Sequence, residues 1–200
     1  LKIRQETQYP WNGDIKITVD PDKTLSFVLK IRIPGWARNK PVPGDLYTYT
    51  EMKKNQIILK INDEIISAEK FSDYIILNRK WKKGDKIDLS IEMPVRQVMA
   101  NEHVKADSGK TALERGPLVY CAESIDNDVN ILNFCVSANS KWTIENIPDL
   151  KGITVIKGKG YLASDQEGSY DEKDFIAIPY YAWAHRGKSE MAVWFRTCPE

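Results

Sequence analysis

Apolar and polar residues alternate along much of the chain. A period of two puts successive side chains on opposite faces of a β-strand, so that one face can be buried and the other hydrated. The pattern occurs at residues 15–19, 25–33 and 57–61. It is clearest in the run Ile87, Asp88, Leu89, Ser90, Ile91, Glu92, Met93. Such segments are typical of antiparallel sheets with one solvated face.

Short segments rich in Gly, Pro, Asn and Asp separate the predicted strands, for example residues 12–14, 20–22, 43–45 and 83–85. These residue types favour the backbone conformations of tight turns. No long stretch has the 3.6-residue period of an amphipathic helix. We therefore predict an all-β protein, made of two antiparallel β-sandwich (jelly-roll-like) domains in tandem.

The regular alternation of apolar and polar residues stops near Met93 and Pro94, which indicates an internal boundary. Proline cannot donate a ladder hydrogen bond and therefore ends the preceding strand. The 200 residues are enough for two small domains. We predict a first β-sandwich domain over residues 1–98 and a second over residues 99–200. Within the second, the Gly- and Ser-containing segment 158–169 is predicted to be a mobile, exposed loop.

The charges are balanced, with 29 Lys and Arg against 28 Asp and Glu and a formal charge of +1. The two signs are interspersed, so we expect neither nucleic acid nor a membrane as a partner. The sequence begins at Leu1, without a charged leader or an apolar segment before the first predicted strand. We expect the true N-terminus to lie upstream, which leaves the cytoplasm and the periplasm or extracellular space open as compartments.

Three cysteines, Cys121, Cys135 and Cys198, form no Cys-x-x-Cys pair. An odd count without metal-ligand spacing indicates neither a disulfide framework nor a zinc site. We interpret all three as buried or free thiols.

Residues for acid–base or nucleophilic catalysis are scarce. His103 and His185 lie in polar loops, where we interpret them as solvated or structurally bonded, and the common nucleophile and phosphate-binding motifs are absent. Glu114 and Glu123 flank the phrase RGPLVY, but we interpret them as surface ion-pairing residues. The acidic segments 126–128 and 171–174 lack a calcium-loop pattern. We predict no catalytic residue and no metal ligand in this chain.

Aromatic residues are the strongest remaining clue, with six Trp and nine Tyr. Trp11, Trp36, Tyr181 and Trp183 lie at or beside turns, and we take them as candidate contacts for carbohydrate or for a neighbouring domain. The alternative interpretation is that these rings fill the core or an inter-domain seam.

Six phrases, in order over nearly the whole chain, resemble the C-terminal part of glycoside hydrolase family 127, the β-L-arabinofuranosidase family; the related family 146 shares the architecture and stays an alternative. They are YPWNG at 9–13, IRIPGWA at 31–37, WKKGD at 81–85, MPVR at 93–96, RGPLVY at 115–120 and IPYYAWA at 178–184.

The resemblance implies an enzyme with an N-terminal (α/α)6 barrel, which holds the catalytic machinery, followed by two β-sandwich domains. Members of the family use a zinc-bound cysteine nucleophile with glutamates as metal ligand and acid/base, and none of those positions falls in the part matched here. We therefore expect zinc in the missing barrel and no cofactor in this fragment.

We expect this chain to be a non-catalytic portion of the enzyme that packs on and supports the barrel of the same polypeptide. Alternatives are a carbohydrate-binding module that uses exposed Trp and Tyr, and a fibronectin-like interaction domain.

Overall fold

The computed structural model describes residues 1–53, 55–66, 73–148, 152–164 and 169–198, and most of its regular structure is β. The strands are β1 (Lys2–Thr7), β2 (Asp14–Asp20), β3 (Leu25–Arg32), β4 (Tyr47–Tyr49), β5 (Ile57–Ile61), β6 (Glu64–Ile66), β7 (Tyr74–Trp81), β8 (Asp85–Ile91), β9 (Val95–Ala100), β10 (Lys110–Arg115), β11 (Leu118–Glu123), β12 (Cys135–Val136), β13 (Thr143–Ile147), β14 (Ile153–Ala163), β15 (Tyr170–Pro179), β16 (Met191–Ala192) and β17 (Phe195–Thr197).

Where the structure describes the chain, helical structure is limited to short turns. The helix α1 spans Ser124–Asn127, and single 3₁₀ turns lie at Trp36–Arg38, Lys105–Asp107, Ile131–Asn133 and Tyr180–Ala182. Among the described residues no helix is long and apolar enough to cross a membrane. The all-β prediction is confirmed.

The chain divides into two compact units. The first comprises Leu1–Lys40 and Lys53–Pro94, and the second comprises Pro41–Met52 and Val95–Glu200. The inserted segment Pro41–Met52 belongs to the second unit because its strand β4 pairs with β9. The finer predictions, a division after residue 98 and tandem jelly-roll sandwiches, stay predictions.

As far as its residues are described, the first unit consists of a five-stranded sheet in the order β1-β2-β8-β5-β6 and a two-stranded sheet of β3 and β7. All of its pairings are antiparallel. On β8 the side chains of Ile87, Leu89 and Ile91 are buried, which confirms the alternation read from the sequence. Both sheets contribute to one hydrophobic core, for example Leu89 from the larger sheet and Trp81 from the smaller.

The turn between β7 and β8 is closed by the residues of the WKKGD phrase. Trp81 is fully buried, and its indole nitrogen donates to the carbonyl of Phe27 over 3.1 Å. The carboxylate of Asp85 accepts from the backbone N–H of Lys82 over 2.8 Å, and Gly84 supplies the left-handed φ of 84° that the turn requires.

The second unit, within the described residues, is a ten-stranded sheet that follows the order β16-β11-β15-β14-β12-β17-β10-β9-β4. β13 pairs with β14, and β11 also pairs with β10. Strands β14 and β15 pair from Ile156 opposite Ala177 to Ala163 opposite Tyr170. The predicted loop at 158–169 is therefore wrong for residues 158–163, which belong to β14, while residues 165–168 lie outside the described residues.

Two glycines in β14 explain this error. A Cβ atom at Gly160 would lie 1.7 Å from a ring carbon of Phe134, and one at Gly158 would lie 2.5 Å from the ring of Trp142. The missing side chains thus form a recess for aromatic rings. The ring centroid of Phe134 lies 5.4 Å from that of Phe175, which in turn contacts Phe195 edge-on at 5.1 Å. These glycines mark close packing rather than a loop.

The cysteine prediction is wrong for two residues. Cys135 of β12 and Cys198, which follows β17, form a disulfide with a Cα–Cα distance of 5.1 Å. The two strands lie side by side in parallel, so residues 63 positions apart in sequence become neighbours. Cys121 is a buried thiol, as predicted.

The aromatic recess gives a stability prediction. Gly160→Ala is expected to lower the free energy of unfolding by about 1–3 kcal/mol, because the new methyl group overpacks the position filled by Phe134. Lys159→Ala is the matched control: Lys159 is exposed and pairs with the surface carboxylates of Glu172 and Asp174, so its loss should lower the free energy of unfolding far less than Gly160→Ala does. Urea denaturation measures both, and equal effects would contradict the packing argument.

Candidate functional site

Exposed aromatic rings cluster after β15, in a segment that we call the aromatic loop (residues 180–190). Tyr180, Tyr181 and Trp183 are all exposed. The rings of Tyr180 and Trp183 are stacked, with centroids 6.3 Å apart and an interplanar angle of 23°. Aromatic side chains that are held on a scaffold and present a ring to solvent are favoured contact residues in binding sites.

An ion-pair cluster, which we call the Arg186 clamp, fixes this loop. The guanidinium of Arg186 forms two hydrogen bonds with the carboxylate of Asp126 and one of 2.7 Å with Glu123, whose side chain is 1% exposed. The hydrogen bonds that Arg186 donates to Asp126 and then to Glu123 outweigh the cost of burial and raise the pKa of Arg186. Bidentate Arg–carboxylate geometry is the strongest form of this contact.

The backbone of the loop is held as well as its side chains. The N–H of Ala184 donates to the other carboxylate oxygen of Glu123 over 3.2 Å. Ala184 has a φ of 64°, a left-handed conformation that costs an alanine roughly 1 kcal/mol or more. At the far end of the loop, the N–H of Ser124 donates to the carbonyl of Glu190 over 3.0 Å. The loop conformation is therefore imposed by its surroundings.

The four predicted contact residues have different settings. Tyr181 and Trp183 lie together in the aromatic loop of the second unit, whereas Trp11 is an exposed turn residue of the first unit. Trp36 is only 5% exposed, and its indole nitrogen donates to the hydroxyl of Tyr9 over 3.1 Å. Burial of Trp36 agrees with the alternative interpretation, in which the ring fills the core of its own unit.

Glu114 and Glu123 do not lie at the surface, so their interpretation as surface ion-pairing residues is wrong. Glu123 does pair with a cation, but inside the Arg186 clamp. Glu114 faces the inserted segment, where the hydroxyl of Tyr49 donates to its carboxylate over 2.6 Å. The sequence carries no signal for either contact, because the partners are 65 and 63 residues away.

Arg96 completes the cluster around Glu114. Its guanidinium carbon lies 3.6 Å from the centre of the Tyr49 ring, and it donates to the carbonyl of Glu51 over 2.9 Å. Burial raises the pKa of Glu114 to about 7, against the opposing effects of Tyr49 and Arg96. A carboxyl group that titrates near neutrality resembles a general acid or base, but here it secures strand β4.

Each of the two acidic segments considered for calcium has a carboxylate that pairs with a cation. The carboxylate of Asp126 binds Arg186, and that of Asp174 lies 2.8 Å from the ammonium of Lys159. In the part of the chain that the structure describes, no three His, Cys, Asp or Glu side chains are grouped so that they could hold a metal ion.

One open cavity of about 300 Å³ lies in the first unit, near the small end of the range for ligand sites. Its wall combines the apolar residues of the core edge with polar groups from the ends of β1 and β3. The lining residues are Gln5, Thr7, Tyr9, Ile15, Arg32, Pro34 and Ile91.

Two family models together match nearly the whole chain. The model for the GH127 middle domain of beta-L-arabinofuranosidase matches residues 1–93, and the model for the glycoside hydrolase family 127 C-terminal domain matches residues 95–196. This chain belongs to glycoside hydrolase family 127. The resemblance seen in its six sequence phrases is thereby confirmed.

Relatives of this GH127 chain agree with the assignment. A non-reducing end beta-L-arabinofuranosidase of Bifidobacterium longum subsp. longum is 29% identical over 219 residues, which cover 98% of this chain and 30% of that protein. A solved GH127 beta-arabinofuranosidase is 38% identical with a TM-score of 0.89, and its match covers 98% of this chain and 31% of that one. A GH127 beta-L-arabinofuranosidase from Geobacillus stearothermophilus T6 is 35% identical with a TM-score of 0.83 and coverages of 98% and 30%. The GH127 chain thus spans about one third of the length of these relatives.

The buried carboxyl of Glu114 gives the GH127 chain a pH-dependent stability. Its pKa rises from 4.5 to about 7 on folding, so the folded state holds the proton more tightly. The contribution is fully present below pH 4.5 and is lost as the pH rises towards 7. We expect the free energy of unfolding to fall by up to roughly 3 kcal/mol between pH 4.5 and 8 through this group. Urea denaturation across that range measures it.

Glu114→Gln should remove this slope, because an amide accepts the Tyr49 hydrogen bond without ionising. Tyr49→Phe is the matched variant that keeps both the ring and Glu114. The substitution removes a hydrogen bond that holds the pKa of Glu114 down. In this variant the fall of the unfolding free energy with pH should therefore persist and extend to higher pH. Parallel pH profiles for the wild type and Glu114→Gln would show that Glu114 does not titrate in this range.

Proposed function

We propose that the chain is the non-catalytic, all-β portion of a β-L-arabinofuranosidase, built of two β-sandwich domains, which packs on and supports an N-terminal (α/α)6 catalytic barrel. The observation that carries this proposal is the coverage of the relatives: almost all of this chain corresponds to about one third of each of them, and it matches the middle and C-terminal family domains. The remaining two thirds provide room for a separate catalytic domain.

Zinc and the catalytic cysteine are assigned to that barrel in this proposal, and the described residues of the present chain supply neither. The thiols of Cys135 and Cys198 are consumed by their disulfide. Cys121 is buried, and burial first, then Glu123 and Asp126, raise its pKa to about 12. A thiol that stays protonated at neutral pH is a poor nucleophile and a poor metal ligand. These properties support a structural role for the chain.

The aromatic loop supplies a contact surface suited to a neighbouring domain. Tyr and Trp are enriched where two protein surfaces meet, because each ring buries a large area with few rotatable bonds. The Arg186 clamp holds these rings in place before contact, so little entropy is lost when a partner docks on them.

The test separates the parent enzyme into its upstream part and this chain. The chain alone should release no arabinose from an aryl β-L-arabinofuranoside. The upstream part alone should melt at a lower temperature than the full-length protein. Circular dichroism and a cooperative melt establish that each piece is folded. Hydrolysis by the chain alone, or an upstream part as stable and active as the parent, would overturn the proposal.

A second candidate function is carbohydrate binding at the aromatic loop, favoured by the exposed stack of Tyr180 and Trp183. The flat apolar face of a sugar ring can pack on such a surface. Titration of the chain with arabino-oligosaccharides should then give a saturable change in tryptophan fluorescence. Trp183→Ala should weaken binding by at least roughly tenfold, whereas Trp11→Ala, an exposed tryptophan of the other unit, should leave it unchanged.

Arg186→Lys extends this test to the clamp. Lysine keeps the charge but cannot form the bidentate contact with Asp126, so the loop is held less firmly while every ring is retained. An intermediate loss of affinity is expected. A calorimetric blank for the unmodified chain, or equal binding by all variants, would exclude the aromatic loop as the binding surface.

A further inference from the structure

The disulfide secures β17, a strand of the second unit. Cys198 follows β17 directly, and its backbone N–H donates to the carbonyl of Val136 over 3.0 Å. β17 is only three residues long and pairs with β10 and β12 at two positions each. A strand with so few ladder contacts is held only weakly by its backbone hydrogen bonds. The bond to Cys135 supplies a further tie.

The strand matters because it carries a core residue. Phe195 is buried and packs edge-on against Phe175 of β15, with ring centroids 5.1 Å apart. Cys135 itself follows Phe134, the ring that fills the recess at Gly160. Release of β17 would therefore expose Phe195 and open the aromatic core on which the second unit is built.

The third cysteine cannot disturb this pairing. Thiol–disulfide exchange requires a thiolate, and burial together with Glu123 and Asp126 raises the pKa of Cys121 to about 12. Cys121 is also fully buried within a separate apolar cluster that includes Val155 and Ile178. The chain thus has one pair of cysteines brought together by the fold and one that is chemically protected.

We propose that this protein matures in an oxidising compartment outside the cytoplasm, where Cys135 and Cys198 are joined as a permanent structural disulfide. The two thiols lose two protons and two electrons, and an incoming disulfide, on an oxidoreductase or on glutathione, accepts them and becomes two thiols. A cytosolic protein would keep both cysteines reduced, and the tie between β12 and β17 would be absent. The balanced charge of the chain leaves the compartment open, whereas the pairing of Cys135 with Cys198 favours an oxidising one.

The first experiment maps the cysteines of the full-length protein, isolated from the cells that naturally produce it. Free thiols are alkylated under denaturing conditions, and the protein is digested without reductant and examined by mass spectrometry. We expect a linked peptide pair that contains Cys135 and Cys198, and, among the three cysteines of this chain, alkylation of Cys121 only. The protein should also separate from cytoplasmic markers on cell fractionation. Alkylation of all three cysteines, or recovery with the cytoplasm, overturns the proposal.

The second experiment tests the structural role of the bond in the same full-length protein. A reducing agent is expected to lower the melting temperature of the transition that includes this unit by roughly 5–15 °C. The variant Cys135→Ser with Cys198→Ser should melt at the lower temperature with or without reductant. Cys121→Ser should still respond to the reductant as the wild type does. A melting temperature that is indifferent to reductant in the wild type contradicts a structural disulfide, and this readout does not depend on arabinofuranosidase activity.

Discussion

The packing of aromatic rings against the bare backbone of β14 is the interaction on which the second unit depends. Phe134 occupies the space that a side chain at Gly160 would need, and it stacks on Phe175 of β15. Phe175 contacts Phe195 of β17. Each ring thereby fixes a strand that leads to another feature: β15 runs into the aromatic loop, β17 runs into Cys198, and Phe134 precedes Cys135. The positions of the candidate contact surface and of the disulfide therefore both depend on the packing of these three rings.

The Arg186 clamp shows how a polar network can set the shape of a loop at some cost to stability. Burial of Glu123 carries a desolvation penalty, and the attraction to Arg186 compensates it only while the geometry is kept. Such a network therefore favours one arrangement of the loop over many near alternatives. Ala184 illustrates the result, since its left-handed backbone is retained by the hydrogen bond to Glu123. The clamp therefore fixes the conformation of the aromatic loop more than it adds to the free energy of folding.

The sequence predicted the local structure well where side chains alternate, and it failed where contacts are non-local. The period of two on β8 corresponds to its observed buried face, and the turn positions of Tyr181 and Trp183 correspond to an exposed loop. Glycine has no side chain to reveal a period, so the sequence predicts a loop from Gly158 onwards, where strand β14 continues to Ala163. The pairing of Cys135 with Cys198 depends on the parallel neighbours β12 and β17, which no short window contains. Buried carboxylates such as Glu114 were missed for the same reason, because their partners come from distant strands.

The path of the segment Pro41–Met52 bears on how such modules are exchanged during evolution. The family models meet at residues 93–95, which looks like a single point of recombination. The chain, however, leaves the first unit after Lys40, gives β4 to the second unit and returns at Lys53. A gene fusion made at Pro94 would hand on the second unit without β4 and without the Tyr49 partner of Glu114. The chain passes between the two units twice before the final passage at Pro94, so a single cut there does not separate two intact units.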